Sequence, residues 1–166
     1  MNPGNTKQNK MSNSIHLKTL AVLALKSNQE RYPSMPDHCR PSFKYTDATA
    51  NGLTKAIIHF LQFNGCQAER ISTTGQYREG ETFKDVIGFT RVTPGQWTKG
   101  TGTPGSADIS AVIRGRSVKI EVKIGKDRQS EAQERYQDAV EHAGGVYFIA
   151  KSFDSFFTFY TSNFQL

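Results

Sequence analysis

Three residues in the second half of the chain have types and spacing that could do chemistry: Asp108, Glu121 and Lys123. Glu121 and Lys123 stand two apart in Ser117–Ile124 (SVKIEVKI), a run that alternates apolar and charged residues. In a strand that period puts Glu121 and Lys123 on one face, about 6–7 Å apart. Asp108 lies in the preceding apolar run, Ala107–Ile113, and Arg114-Gly115-Arg116 reads as a tight turn between the two. A hairpin follows, and Asp108 on one strand can approach Glu121 on the other. Two carboxylates facing one point suit a hard divalent ion that keeps waters and phosphate oxygens as its other ligands. A lysine beside them could orient a nucleophile or offset charge on a phosphate. Hydrolysis of a phosphodiester is the reaction such a set can support. An alternating strand with an ordinary exposed charged face gives the same pattern, so Glu121 and Lys123 alone do not decide between the two readings.

The elements around this hairpin must position the set. Residues 130–143 read as a helix with Ser130 as N-cap and Gly144-Gly145 as its stop. Val146–Ala150 (VYFIA) is an apolar run short enough for an inner strand. Residues 152–163 read as a closing helix. Upstream, Leu53, Ile57, Phe60 and Leu61 recur at helical spacing after a capping Asp47 or Thr49, and Gly65 ends the pattern. Cys66 to Ser72 reads as a strand, 73–82 as turn-rich, 84–92 as another strand weakened at Gly88, and 93–106 as loop. The order predicts an α/β fold, a mixed central sheet flanked by helices.

Residues 1–46 read as a polar, basic N-terminal arm, partly disordered, and 47–166 as the folded domain. Residues 1–14 are polar without periodicity, 15–28 could form a short helix, and Pro33, Pro36 and Pro41 make 32–46 a linker. Cys39 and Cys66 lie far apart with no CxxC pair, so they read as free thiols and zinc-finger spacing is absent. No apolar run approaches the ~20 residues of a membrane span. Leu20–Leu25 after Lys7, Lys10 and Lys18 only imitates a signal peptide, so the expected location is cytoplasmic.

Gly105-Ser106-Ala107-Asp108, then Ile120-Glu121-Val122-Lys123, then Ser130-x-x-Gln133-x-x-Tyr136, then Gly144-Gly145-Val146 together resemble the VRR-nuclease branch of the PD-(D/E)XK nuclease superfamily. Holliday-junction resolvases and small phage nucleases are similar, and the resemblance covers roughly residues 50–152. It implies a restriction-endonuclease-like core. It implies Asp108 and Glu121 as ligands of Mg²⁺ (Mn²⁺ possible), joined by the backbone carbonyl of Val122. It implies Lys123 as the catalytic lysine, with Gln133 reaching the site from its helix. Tyr136 is a further candidate on that helix. A homodimer is implied by resemblance alone. The family often places a glutamate on its first helix; here helix 49–64 has no acid, and Asn51, a weaker Mg²⁺ ligand, lies near that place. That departure leaves open a single-metal site, altered metal preference or reduced activity, with Glu69 the nearest acid elsewhere.

Net charge is +6 and the sequence pI about 9.4. An excess of this size favours a polyanionic partner without requiring one. Arg70, Lys99, Arg116, Lys126 and Arg128 are the residues expected to contact nucleic acid, with Arg78, Lys84, Arg91, Arg114 and Lys119 nearby in sequence. A solvated basic face is the plainer alternative. Trp97 could stack on a base or pack internally. With no helix-turn-helix or zinc module to read base edges, the expected activity is a structure-selective DNA endonuclease with no organic cofactor. Two alternatives stay open: a nucleic-acid-binding protein on a degenerate nuclease fold, and a subunit of a larger repair or replication assembly tethered by 1–46.

Overall fold

The structure, a computed structural model, describes residues 15–73, 75–100 and 102–164; the disorder expected for 1–14 lies outside them. Among the described residues there are four α-helices: α1 (Ile15–Arg31), α2 (Ala50–Phe63), α3 (Glu131–His142) and α4 (Phe153–Phe164). Eight strands accompany them: β1 (Gln67–Arg70), β2 (Gln76–Arg78), β3 (Thr82–Lys84), β4 (Thr90–Val92), β5 (Gln96–Thr98), β6 (Ile109–Ile113), β7 (Arg116–Val122) and β8 (Val146–Ala150). The fold is mixed α/β around a four-stranded sheet ordered β1-β6-β7-β8. The β1–β6 and β6–β7 pairs are antiparallel, and β7–β8 is parallel. A parallel neighbour needs a crossover, and α3 supplies it.

The pleat divides the sheet into two faces. Val118, Ile120 and Val122 of β7 are buried in one cluster with Leu53, Ile57 and Leu61 of α2 and Phe153 and Phe156 of α4. Each such side chain contributes roughly 1.5–3 kcal/mol by leaving water. The opposite face carries Lys119 and Glu121 and meets α3, whose Ala139 and Val140 stand over Ser117 and Lys119. No residue of α3 is fully buried, so its amphipathic stripe makes a thin cover.

Helix ends follow their caps. Thr49 accepts a hydrogen bond from the Gly52 amide at the start of α2. Asp47 instead is buried and accepts from the Phe153 amide at 3.1 Å, capping α4 from the other end of the domain. The β6–β7 turn is Arg114-Gly115, with φ of 47° and 78°. Two left-handed residues give the turn whose twist matches the strands it joins, and glycine takes one of them without strain.

Three expectations change. Residues 15–31 are not part of an arm: Leu17 and Leu20 of α1 join the central hydrophobic cluster, and Ala24 is buried too. The linker 32–46 is folded back by Arg40, whose guanidinium donates to Asp37 Oδ1 at 2.8 Å and to the Met35 carbonyl at 2.7 Å. Residues 73–106 are neither one strand nor plain loop. They hold a two-stranded ribbon in which β2 pairs with β5 and β3 with β4. The single strand expected over 84–92 is split because Asp85 builds a turn: its Oδ1 accepts the Ile87 amide at 3.0 Å and the Phe89 amide at 2.9 Å. Tyr77 opposes Trp97 and Phe83 opposes Arg91, and the steps between these pairs are equal on both strands. The two ladders are therefore one hairpin in one register.

Candidate active site

The hairpin ladder runs Ile109 opposite Ile120, so the next pair brings Asp108 opposite Glu121. Asp108 stands just before β6 rather than inside it, and Lys123 just after β7. Both neighbours are fixed by main-chain bonds. The Ile71 amide donates to the Asp108 carbonyl at 2.8 Å, and the Lys123 amide to the Ala150 carbonyl at 3.0 Å. The Asp108 side chain turns towards β7, where its Oδ2 accepts the Val122 amide at 2.9 Å.

Glu121 and Lys123 are 2% and 8% exposed, although the pleat turns them away from the apolar cluster. Lys123 Nζ lies 3.2 Å from Glu121 Oε1 and 3.4 Å from Asp127 Oδ2, and donates to Gln133 Oε1 at 3.0 Å. Gln133 Nε2 donates to Glu121 Oε1. Gln133 Oε1 also accepts the Ser130 amide at 3.0 Å, which completes a capping box at the start of α3. One side chain thus anchors the helix and holds both the carboxylate and the ammonium. Gly105 lets the loop before Asp108 come up to this helix start. Its φ is 79°, and a side chain there would collide with the Ala132 carbonyl.

Glu121 Oε2 is buried with no hydrogen-bond partner. Burial pushes the Glu121 carboxyl above the usual carboxylate range, the Asp108 charge adds to that, and Lys123 opposes both. A buried carboxylate oxygen without a partner, near a second negative charge, is costly unless a proton or a metal cation meets it. Among the described residues no three His, Cys, Asp or Glu side chains gather as a metal cage. The donor set is two carboxylates, Asp108 and Glu121. That suits Mg²⁺, which takes one or two protein carboxylates and completes its shell with water and phosphate oxygens.

The other expected residues divide. Lys126 and Arg128 are exposed on the turn between β7 and α3, and Arg128 lines a concavity with Lys123, Asp127 and Lys151. Lys99 is exposed at the foot of the ribbon. Arg70 donates to Asn51 Oδ1 at 2.9 Å, so Asn51 is engaged with a guanidinium outside the cluster. Arg116 sits at the far end of β7, its guanidinium 5.5 Å from the centre of the Phe164 ring. Lys119 donates to Ser110 Oγ across the sheet at 2.6 Å. Arg91 is tied to Asp85 at 3.0 Å. Tyr136 meets Tyr147 edge-on at 6.3 Å between ring centres.

Two residues of the cluster were not legible beforehand. Asp127 reaches Lys123 because the chain turns at Gly125, bringing the Asp127 amide to the Ile124 carbonyl at 3.2 Å. A lysine followed four residues later by an acid across a glycine was the only signal. Tyr147 is buried on β8, opposite Lys119, and its hydroxyl has no partner in hydrogen-bond geometry, though Gln129 lies near. Burial pushes its phenol up, and the neighbouring Glu121 charge adds to the shift. It read as one apolar residue among five.

No protein-family model matches the chain, and no curated protein matches it.

Proposed function

We propose that this chain is a metal-dependent nuclease of the PD-(D/E)XK kind, near its VRR-nuclease branch, that hydrolyses phosphodiester bonds in DNA. The observation that carries the reading is the convergence of Asp108, Glu121, Lys123 and Gln133, with one Glu121 oxygen buried and unpaired. The mixed sheet supports it, because the antiparallel β6–β7 pair delivers the two carboxylates to one point from adjacent strands. Asp108 and Glu121 would hold Mg²⁺ or Mn²⁺, with the Val122 carbonyl beside them. Bound there, the ion supplies Lewis acidity at the scissile phosphate and lowers the pKa of a water. Lys123 contributes a positive charge and hydrogen-bond donors to the phosphate oxygens. Gln133 holds Lys123 and Glu121 in register with each other, and Lys123 would exchange its longest contact, to Asp127, for the phosphate. Lys126 and Arg128 contribute phosphate contacts that do not depend on base sequence. A pair of copies would suit cutting of two strands, and a compartment that holds DNA, such as the cytoplasm, suits the substrate.

A second reading, a nucleic-acid-binding protein on an inactive nuclease fold, is favoured by one feature: α2 brings no acid to the cluster and its Asn51 is taken by Arg70. Cleavage of labelled single strand, duplex, flap and four-way junction with Mg²⁺, Mn²⁺ or EDTA decides between them. Metal-dependent cutting that disappears in Glu121→Ala supports the nuclease. Binding without cutting in any metal leaves the inactive binder.

A further inference from the structure

The ribbon formed by β2–β5 carries large apolar side chains that the fold does not use. Tyr77, Phe83, Val86, Ile87, Phe89 and Trp97 are all exposed, Ile87 by 75% and Trp97 by 64%. Six large apolar side chains exposed on one hairpin mark a contact made with something else. Its tip is shaped by Asp85, which accepts the Ile87 and Phe89 amides and pairs with Arg91, and the tip's aliphatic and aromatic side chains are exposed. Its root is beside the carboxylate cluster. The incoming strand leaves the sheet next to Ile71, which is bonded to Asp108, and the returning chain passes Gly105, which lies against Ala132 beside Gln133.

We propose that the ribbon is a wedge that inserts at, and stacks on, unpaired bases of a nucleic acid whose backbone lies at the Asp108–Glu121 cluster. The identity of that polymer rests on the nuclease reading above. Charge favours it: Arg78, Lys84 and Lys99 stand along the ribbon and its foot against Glu79 and Glu81, Asp85 is neutralised by Arg91, and the chain carries +6. Geometry narrows it further. Hydrogen bonds to base edges carry most duplex-groove reading, and Val86, Ile87 and Phe89 offer none. Apolar and aromatic groups find partners on base faces, which are open at single strands, ends and branches. The opposed Tyr77 and Trp97 rings supply a second aromatic surface nearer the root.

Trp97 is the chain's one tryptophan, so its fluorescence reports from the ribbon itself. The full chain would be titrated in EDTA with oligo-dT, a blunt duplex and a forked duplex, with labelled-oligonucleotide anisotropy in parallel. Quenching of Trp97 by the fork and by oligo-dT, at lower concentration than by the blunt duplex, is the expected result. The double variant Ile87→Ser, Phe89→Ser should bind the fork about tenfold or more weakly. Binding by anisotropy with no change at Trp97, or no binding at all, overturns the wedge. So does a Trp97 signal that follows protein concentration alone, with a dimer in sedimentation that the double variant dissolves; the ribbon's occupant is then a second copy. Fork quenching without metal-dependent cleavage sinks the nuclease reading and keeps the wedge. Cleavage with unchanged fork affinity in the double variant does the reverse.

Discussion

Two parts of this chain are written in similar strand language and meet opposite fates. In β7, Val118 and Ile120 alternate with Lys119 and Glu121, and everything from Ile120 to Val122 is buried. In the ribbon, Gln76-Tyr77-Arg78 and Thr82-Phe83-Lys84 alternate just as well, yet every strand residue is exposed. The difference is cover. Helices α2 and α4 close one face of the sheet and α3 the other, whereas each ladder of the ribbon has only two strands. Alternation therefore specifies pleated pairing and says nothing about which face meets a core. Burial holds the sheet together, while a two-stranded ribbon is marginal on its own and opens at little cost. The apolar residues of the ribbon bury little on folding, which leaves them available for contact.

The sharpest contrast is chemical. Glu121→Gln removes a carboxylate of the proposed centre and should lower single-turnover cleavage about 10³-fold or more, and Lys123→Met about 10²–10³-fold. A Glu121→Gln protein that cuts within tenfold of the wild type would remove Glu121 from the centre. In stability the same contrast is smaller but still large. Ile120→Ala should cost ~2–5 kcal/mol in urea denaturation, whereas Ile87→Ala should stay within about 0.5 kcal/mol. A substantial cost at Ile87 would mean that the ribbon packs on the domain or on another copy.

Sequence carried the sheet better than the ribbon for a physical reason. The apolar runs at 107–113, 117–124 and 146–150 are long enough to have one structure, and the tight turn and Ser130 cap bound them. Asp108, Glu121 and Lys123 follow from a two-residue period and a hairpin, which are local rules, whereas Gln133 follows only from the family resemblance; the structure brings the four together. The three-residue strands at 76–98 alternate over too few residues for the period to stand out, and their pairing depends on the Asp85 turn, which reads in sequence only as another acid. Helix α1 was under-read because its apolar residues surround it rather than forming a stripe; its burial of Leu17 and Leu20 depends on α2 and α4 being there. Arg70 and Arg116 illustrate the limit for surface charge: composition gives an excess of cations, but only tertiary structure shows Arg70 held by Asn51 and Arg116 lying over Phe164.

Gln133 tests whether the cluster and the helix that covers it are one unit. Gln133→Ala removes half of a capping box, which should cost ~1 kcal/mol, and loosens Lys123 and Glu121, which should slow cleavage about 10–100-fold. Ser130→Ala separates the two effects. It weakens the cap by a similar amount but leaves the Gln133 contacts to Glu121 and Lys123 in place, so its cleavage rate should fall much less. Equal losses of rate in the two variants would mean that the helix start, and not the amide of Gln133, sets the geometry.

The smallest effect is a difference in sign between two acids. Glu121 has its carboxyl raised by burial and by Asp108, so the metal-free folded protein holds that proton more tightly than the unfolded chain. Its contribution is complete below the ordinary glutamate range and is lost as pH rises through the raised value. Asp85 has its carboxyl lowered, first by the Arg91 hydrogen bond and then by the turn amides. Its contribution is present above the ordinary aspartate range and fades as pH falls through the lowered value. Acidification should therefore ease the sheet's buried carboxylate while loosening the ribbon's tip. In EDTA, Glu121→Gln should raise Tm at neutral pH and lose that advantage towards acid, since a neutral amide replaces a charge only where the charge exists. At lower pH, below the ordinary aspartate range, Trp97 emission should shift in Glu121→Gln as in wild type, and the shift should vanish in Asp85→Asn. A Trp97 transition that survives in Asp85→Asn would place the acid-sensitive group elsewhere and break the separation between the two regions.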